Sequence, residues 1–406
     1  MKSSVNFIML MLISILVGTI NTNKIPSNIL DNVKAGMIER DSTRLKKRSE
    51  NDEAYHPSYL PCEDNGQCVP FYHCKNKNNY NIDGKMLIDI RFDEAKSCKS
   101  YLEICCKNDS HIIIDENIFN EKHINNIRNH CGVGNQNGIY FKLSGNNANE
   151  AEYGEFPWMI AVLKRTEIES SIYNTYHCGG SLIHPHVVLT AAHCVYKNSA
   201  HELIARAGEW DTQTNDEIYK EQDRYINEII VHEKFIIDTY FNDIALLITV
   251  DQFNLGVDVN TICLPPKEIN FDNARCFATG WGKDQFGKEG KYQVILKKID
   301  IPVVPNNKCQ ESLRKTRFGE RFILHDSFIC AGGELGKDTC KGDGGGPLNC
   351  PIPEQSGRYY EAGIISWGIG CGGTNPGVYS SITYLRDWID NIMEMKNYDK
   401  FYYIAY

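Results

Sequence analysis

Thr190-Ala191-Ala192-His193-Cys194, Asn242-Asp243-Ile244-Ala245-Leu246-Leu247 and Cys340-Lys341-Gly342-Asp343-Gly344-Gly345-Gly346-Pro347-Leu348 follow one another along the chain. A histidine, an aspartate and a Gly-rich turn thus come in that order. An imidazole can take a proton, a carboxylate can fix its tautomer, and glycines let backbone N–H groups come close to a ligand. Around these signatures stand short apolar and β-branched runs such as Gly180-Ser181-Leu182-Ile183, Val187-Val188-Leu189-Thr190 and Gly363-Ile364-Ile365-Ser366, separated by Gly, Asn and Asp. Many short strands broken by turn signals point to an all-β sandwich or barrel, and about 250 residues is an acceptable size for one such domain. A helix should close it. Between Thr383 and Met395 the apolar residues Tyr384, Leu385, Trp388, Ile389 and Ile392 recur three and four apart, with Arg386, Asp387 and Asp390 between them.

The whole chain of 406 residues is too long for one ordinary domain. Its formal net charge of −9 gives no support to nucleic-acid binding. Sixteen cysteines, an even number, imply a disulfide framework and an oxidising destination. Structural zinc would need paired short Cys/His spacings, and no repeated CxxC pairs occur; no metal or other cofactor is expected. Lys2 precedes an apolar run from about Phe7 to Val17 that is too short for a bilayer span. It reads as a secretory signal peptide over residues 1–22, so a secreted, extracellular protein with no membrane role is expected.

Residues 23–56 then form a polar propeptide or linker containing Lys46-Lys47-Arg48, either a solvated run or a processing site after Arg48. Six cysteines crowd into residues 57–107: Cys62, Cys68, Cys74, Cys98, Cys105 and Cys106. So small a module cannot bury a sufficient core and needs cross-links, but spacing alone does not choose the pairing. Residues 108–142 are a polar linker with a glycosylation acceptor at Asn108. The β domain occupies 143–396, and a tyrosine-rich tail, for which the sequence offers no physical account, occupies 397–406.

The three signatures in order, with Gly154-Glu155-Phe156-Pro157-Trp158, Gly280-Trp281-Gly282, Ser366-Trp367-Gly368 and Pro376-Gly377-Val378-Tyr379, make the C-terminal part resemble a chymotrypsin-like serine protease domain. That resemblance implies a double six-stranded β-barrel with a C-terminal helix. It makes His193 the general base, Asp243 its orienting partner, and the N–H groups of Gly342 and Gly344 the oxyanion donors. The nucleophilic serine should stand directly after Asp343, where this chain has Gly344. Without a hydroxyl His193 has nothing to activate, and loss of the serine alone costs about 10⁶-fold in turnover in a related template. The chain is therefore expected not to be an enzyme, and His193 and Asp243 to persist as a buried hydrogen-bonded pair. The usual activation start aligns with Gly145-Asn146-Asn147-Ala148 after Ser144, which offers no basic cut site and no apolar new terminus. Asp343 is thus expected to lack the cationic partner usual in the family. By the same resemblance Asp338, with Gly368 and Gly377, forms a trypsin-type specificity pocket that is either used to hold an Arg or Lys side chain or merely inherited.

The family's usual disulfides would be Cys178–Cys194, Cys276–Cys350, Cys309–Cys330 and Cys340–Cys371, with Cys131–Cys263 tethering the linker. The N-terminal six resemble an arthropod clip domain, implying Cys62–Cys105, Cys68–Cys98 and Cys74–Cys106. A clip domain joined to a serine-less protease domain resembles the clip-domain serine protease homologues of the prophenoloxidase-activating-factor type. The likeness implies a non-catalytic regulator of melanisation whose partners are prophenoloxidase and its activating protease. It leaves room for an oligomer formed after cleavage, for which Arg91, in Ile88-Asp89-Ile90-Arg91-Phe92, is the candidate site; the plain alternative is an ordinary surface arginine. The same surfaces would also serve an antagonist of venom or parasite type. A residual serine-type peptidase would need another nucleophile near Gly344, and none is evident. Binding of microbial glucan or peptidoglycan through the clip module is a further alternative.

Overall fold

The computed structural model describes residues 130–139, 142–143, 149–168, 171–213, 218–283, 292–337, 342–370 and 372–406, with residues 61–62, 66–70, 87–88, 98 and 103–106 of the N-terminal module. The signal-like start, Arg48, Cys74, Arg91, Asn108, residues 144–148, Asp338, Cys340 and Cys371 lie outside these residues.

In the small module, β1 (Gln67–Pro70) and β3 (Glu103–Cys106) pair antiparallel with Cys68 opposite Cys105, and its β2 (Leu87–Ile88) pairs in parallel with β4 (Lys142–Leu143), which lies at the end of the linker. Disulfides Cys62–Cys105 and Cys68–Cys98 cross this pairing, and Cys106 is also disulfide-bonded. A strand pair this short is marginal alone, and cross-links restrict its unfolded state instead. Gly66 lies so close to the sulfurs that a Cβ there would fall 2.7 Å from Cys105 Sγ.

Two closed barrels follow. The first comprises β5 (Met159–Ile168), β6 (Ser171–His184), β7 (Val187–Thr190), β8 (Leu203–Ala207), β9 (Gln222–Val231) and β10 (Ala245–Thr249), in the spatial order β10-β7-β6-β5-β8-β9. The second comprises β11 (Arg275–Gly280), β12 (Lys297–Val304), β13 (Phe328–Gly332), β14 (Pro347–Pro351), β15 (Tyr359–Trp367) and β16 (Pro376–Ser381), in the order β11-β12-β13-β16-β15-β14. Strands that would alternate on an open sheet are here buried throughout: every residue of β7, β10 and β16 is inside. The largely aliphatic character of β7 and β10 has this cause, since closure and the neighbouring barrel cover both faces. Cys178–Cys194, Cys276–Cys350, Cys309–Cys330 and Cys131–Cys263 are bonded.

Among the described residues the α-helices are α1 (Ala192–Val195), α2 (Asn306–Arg314) and α3 (Ile382–Met395). Ser381 caps α3, its hydroxyl accepting from Tyr384 N–H. The buried face of α3 is Ile382, Leu385, Ile389 and Met393, whereas Tyr384 is half exposed. Arg386, placed by the sequence pattern among the solvent-side charges, is buried instead. It donates to the carbonyls of Leu264 and Pro265 and lies over the Tyr403 ring.

The tail gains a physical account from this packing. Tyr403 is fully buried with its hydroxyl donating to Asp390 at 2.8 Å, and its carbonyl accepts from Leu264 N–H. Tyr398 and Tyr402 pack on His184 at 4.8 and 4.7 Å, and the Tyr406 carbonyl accepts from Arg358. The tail is thus an outer clasp on the end of β6 and on the Cys131–Cys263 tether, where Arg358 also donates to the Cys131 carbonyl.

Between the barrels, Trp158 Nε1 donates to Asn349 Oδ1 at 2.7 Å and Ser181 Oγ meets Glu361 Oε2 at 2.5 Å. Glu361 is wholly buried, its Oε1 has no hydrogen-bond partner, and burial pushes its carboxyl up to about 8 against the lowering effect of Ser181. The folded state then holds a proton that the unfolded chain releases near pH 4.5. Stability contributed by this group is complete below that value and declines as pH rises toward 8, by at most about 1.4 kcal/mol per pH unit. Urea titrations from pH 5 to 8 should show a steeper decline for the native sequence than for Glu361→Gln; parallel curves would contradict the assignment.

Candidate functional site

His193 is carried by α1, the single helical turn that directly follows β7, so a buried strand fixes its backbone. Asp243 precedes β10, after a loop in which Tyr240 and Asn242 both take positive φ, 58° and 54°. Asn tolerates that region, but a tyrosine there is an outlier that its surroundings must hold. Asn242 supplies part of the hold: its N–H donates to Ser327 Oγ and its Nδ2 to the Lys234 carbonyl. The twist lays the Tyr240 ring edge-on against His193, centroids 5.2 Å apart. Burial, then the Asp243 charge, push the Tyr240 phenol above its ordinary range.

Asp243 is completely buried, and its carboxylate is met by three donors. Oδ1 accepts from the His193 backbone N–H at 2.8 Å, and Oδ2 accepts from His193 Nδ1 at 2.7 Å and from Ser366 Oγ at 2.5 Å. Its backbone carbonyl accepts from Ser380 Oγ. Ser366 and Ser380 belong to β15 and β16, so the second barrel helps to hold an aspartate that leads into the first. The pair with His193 puts the Nδ1 proton toward the carboxylate, and Nε2 lies 3.6 Å from Cys194 Sγ.

The Gly-rich turn lies beyond Nε2. A Cβ built on Gly344 would fall 2.8 Å from His193 Nε2 and 3.2 Å from Cε1. Gly345, at φ 81°, admits no side chain, since a Cβ would come within 2.4 Å of both Thr190 Oγ1 and the Gly179 carbonyl. The carbonyls of Gly342, Asp343 and Gly344 accept from Tyr176 Oη, Gly346 N–H and Gly179 N–H at 3.0, 3.0 and 2.9 Å. Asp343 Oδ1 accepts from Gly282 N–H at 2.7 Å. Burial, then the Asp343 charge, raise the Tyr176 phenol well above its ordinary range, so it acts as a donor.

Of the other residues singled out in the sequence, Gly368 is exposed just past Trp367, and Gly377 is buried in β16 opposite Ala331. Trp367 packs edge-on with Phe318 and Phe328 at 5.5 and 5.8 Å. Ser366 was visible only as part of a motif, and nothing in its spacing ties it to Asp243. Tyr176 had no sequence signal at all. Among the described residues, groups with metal-ligand spacing are Cys62/Cys68/Cys98 and Cys178/His193/Cys194. Their sulfurs are in disulfides, which leaves no thiolate to bind a metal.

Among known families, Trypsin matches residues 146–389, and the Serine protease Clip domain PPAF-2 matches residues 56–107. The chain is similar to phenoloxidase-activating factor 2 of Galleria mellonella, 53% identical over 64% of this chain and 88% of that protein. It is also similar to two Anopheles gambiae proteins named inactive CLIP domain-containing serine proteases. A8 is 37% identical over 81% of this chain and 89% of its own length; A28 is 35% identical over 80% and 88%. Among the described residues, no helix is long and apolar enough to cross a membrane.

Removing one donor from a buried carboxylate is costly whatever the protein's activity. Ser366→Ala should lower unfolding free energy by about 1.5–3 kcal/mol, the range for hydrogen bonds to charged groups. Equilibrium urea unfolding measures it, and a change under about 0.5 kcal/mol would show that the Asp243 carboxylate does not depend on Ser366.

Proposed function

The chain belongs to the trypsin family, with a clip domain ahead of its protease-like domain, and from that premise we propose that it is a secreted, non-catalytic regulator of the prophenoloxidase cascade. It engages prophenoloxidase or its activating protease and cuts neither. The observation that carries this reading is Gly344. The residue after Asp343 brings no hydroxyl, and the His193 ring stands so near that even a Cβ would be crowded at 2.8 Å. In the proposed scheme His193 and Asp243 remain as structure, because the buried carboxylate needs its donors. Relatives named inactive clip-domain proteases support the absence of catalysis, and the Galleria factor's name supports the cascade.

Several finer assignments belong to the same proposal. Asp338, with Gly368 and Gly377, holds a basic side chain of the partner; Gly342 and Gly344 present the N–H groups of the vestigial oxyanion site. Cleavage after Arg91 in the clip domain, and after Arg48 upstream, prepares the molecule for assembly, and Asn108 carries glycan. Mass analysis after digestion with a trypsin-like protease tests Arg91, and an intact Arg91–Phe92 bond would end that assignment.

Purified protein added to insect haemolymph should raise phenoloxidase activity; a fall would make it an antagonist acting on the same cascade, and no change would remove it from the cascade. The native sequence should hydrolyse no arginyl ester, and Gly344→Ser should gain no measurable amidase activity because the new side chain collides with His193. Turnover by the native sequence at the rate of a digestive enzyme would overturn the proposal.

A further inference from the structure

Several surface cations around the second barrel and α3 are neutralised locally: Lys267 by Asp387, Arg275 by Asp300 and Glu334, Lys297 by Glu150, and Lys396 by Glu228. One stretch departs from this pattern. Lys308, Arg314, Lys315, Arg317 and Arg321 crowd into residues 308–321, where the acids are Glu311 and Glu320. Lys308, Lys315, Arg317 and Arg321 are exposed. Among the described residues, no carboxylate comes within ion-pair distance of any of the five, and neither acid meets a cation. An excess of three positive charges is thus left open to solvent on a chain whose net charge is −9.

The backbone presents these side chains from a fixed platform. Cys309 and Leu313 bury one side of α2, which turns Lys308, Glu311 and Lys315 outward at spacings of three and four. Beyond the helix, residues 315–324 fold into a closed loop. Thr316 Oγ1 donates to the Leu313 carbonyl at 2.5 Å, Phe322 N–H to the Gly319 carbonyl at 3.1 Å, and Leu324 N–H to Gln310 Oε1 at 2.9 Å. Arg314 Nε ties the base of the loop to the Phe322 carbonyl at 2.8 Å. Phe318 stacks on Phe322 with centroids 4.8 Å apart, and the Arg317 guanidinium lies over the Phe318 ring at 5.7 Å. Gly319 turns the chain at φ 75° with open space around it. The C-terminal end of a helix favours cations in its last turn, which accounts for Arg314 and Lys315. Arg317 and Arg321 lie past that turn and gain nothing from it.

Exposed apolar surface is interleaved with this charge: Phe318 is 38% exposed and Ile323 73%. Coulomb attraction between exposed charges reaches about 8 Å at physiological salt. A slender acidic segment laid on the stretch therefore meets its cations alone, whereas a broad anionic lipid surface also meets the rest of an acidic molecule. A sulfated polysaccharide would satisfy the charges but has no side chain to cover Phe318 and Ile323. A polypeptide with apolar residues between its carboxylates satisfies both, and arginine binds a carboxylate through two parallel hydrogen bonds. We infer that α2 and the loop at 315–324 form a docking surface for an acidic polypeptide segment of a partner protein, one that carries apolar side chains among its carboxylates. A loop already closed before binding lowers the ordering cost of that contact. The inference goes beyond the proposed function: it involves none of the residues that hold His193, Asp243 or Gly344.

Fluorescence anisotropy of the full chain with a labelled peptide of repeating Glu-Asp-Phe units tests this, with a Gln-Asn-Phe peptide as the neutral control. The acidic peptide should bind tighter by about tenfold or more, and its advantage should shrink as salt rises from about 0.05 to about 0.5 M. Arg317→Glu combined with Arg321→Glu should weaken the acidic peptide by about tenfold or more. Lys197→Glu combined with Lys220→Glu changes the net charge equally at exposed lysines elsewhere, and should cost less than about twofold. Ile323→Ser should weaken the Phe-containing peptide and leave a Glu-Asp-Gly peptide unchanged. No binding of the acidic peptide, equal binding of the neutral one, or equal loss in the two charge-reversal variants would each overturn the inference. Heparin or phosphatidylserine vesicles binding more tightly than the peptide, with loss in the Arg317→Glu and Arg321→Glu variant, would overturn the polypeptide assignment in favour of that partner.

Discussion

The completely buried carboxylate of Asp243 constrains the centre of the protease-like domain. Burying a carboxylate is costly unless donors surround it. Here they come from α1, through the backbone and ring of His193, and from β15, through Ser366. The two barrels therefore meet across a polar contact that fixes their relation at the cleft, beside the neutral Ser181–Glu361 and Trp158–Asn349 contacts deeper in the seam. His193 and Asp243 have a structural role, because removing either leaves the other, or the serine, with an unmet polar group.

The same constraint explains how the cleft keeps its shape with glycine at position 344. His193 is held from behind by Asp243 and flanked by Tyr240, and the turn at Gly342 to Gly346 is held by Tyr176, Gly179 and Ile365. None of these contacts uses a side chain at position 344. A glycine at that position therefore leaves this set of contacts in place.

Away from the cleft, stability is supplied differently along the chain. The barrels rest on buried aliphatic strands and on the Trp158, Trp210 and Trp281 rings. The clip module cannot do this and relies on disulfides. Between them, the Cys131–Cys263 bond ties the entering chain to the second barrel, and the tyrosine tail closes over that bond with Arg358.

Sequence by itself determined the barrels, the closing helix, the clip module and the His193, Asp243 and Gly344 positions. Each is written as a local signal: a short β-branched run, a repeat of three and four, a cysteine cluster, or a motif of a few adjacent residues. Partnership across the fold is not written locally. Only the tertiary structure decided that Ser366 serves Asp243, that Tyr176 holds the Gly342 carbonyl, that Arg386 is buried, and that the tail's tyrosines clasp β6. Those contacts join residues far apart in the chain, through hydrogen-bond directions and ring packing that exist only once both barrels have closed.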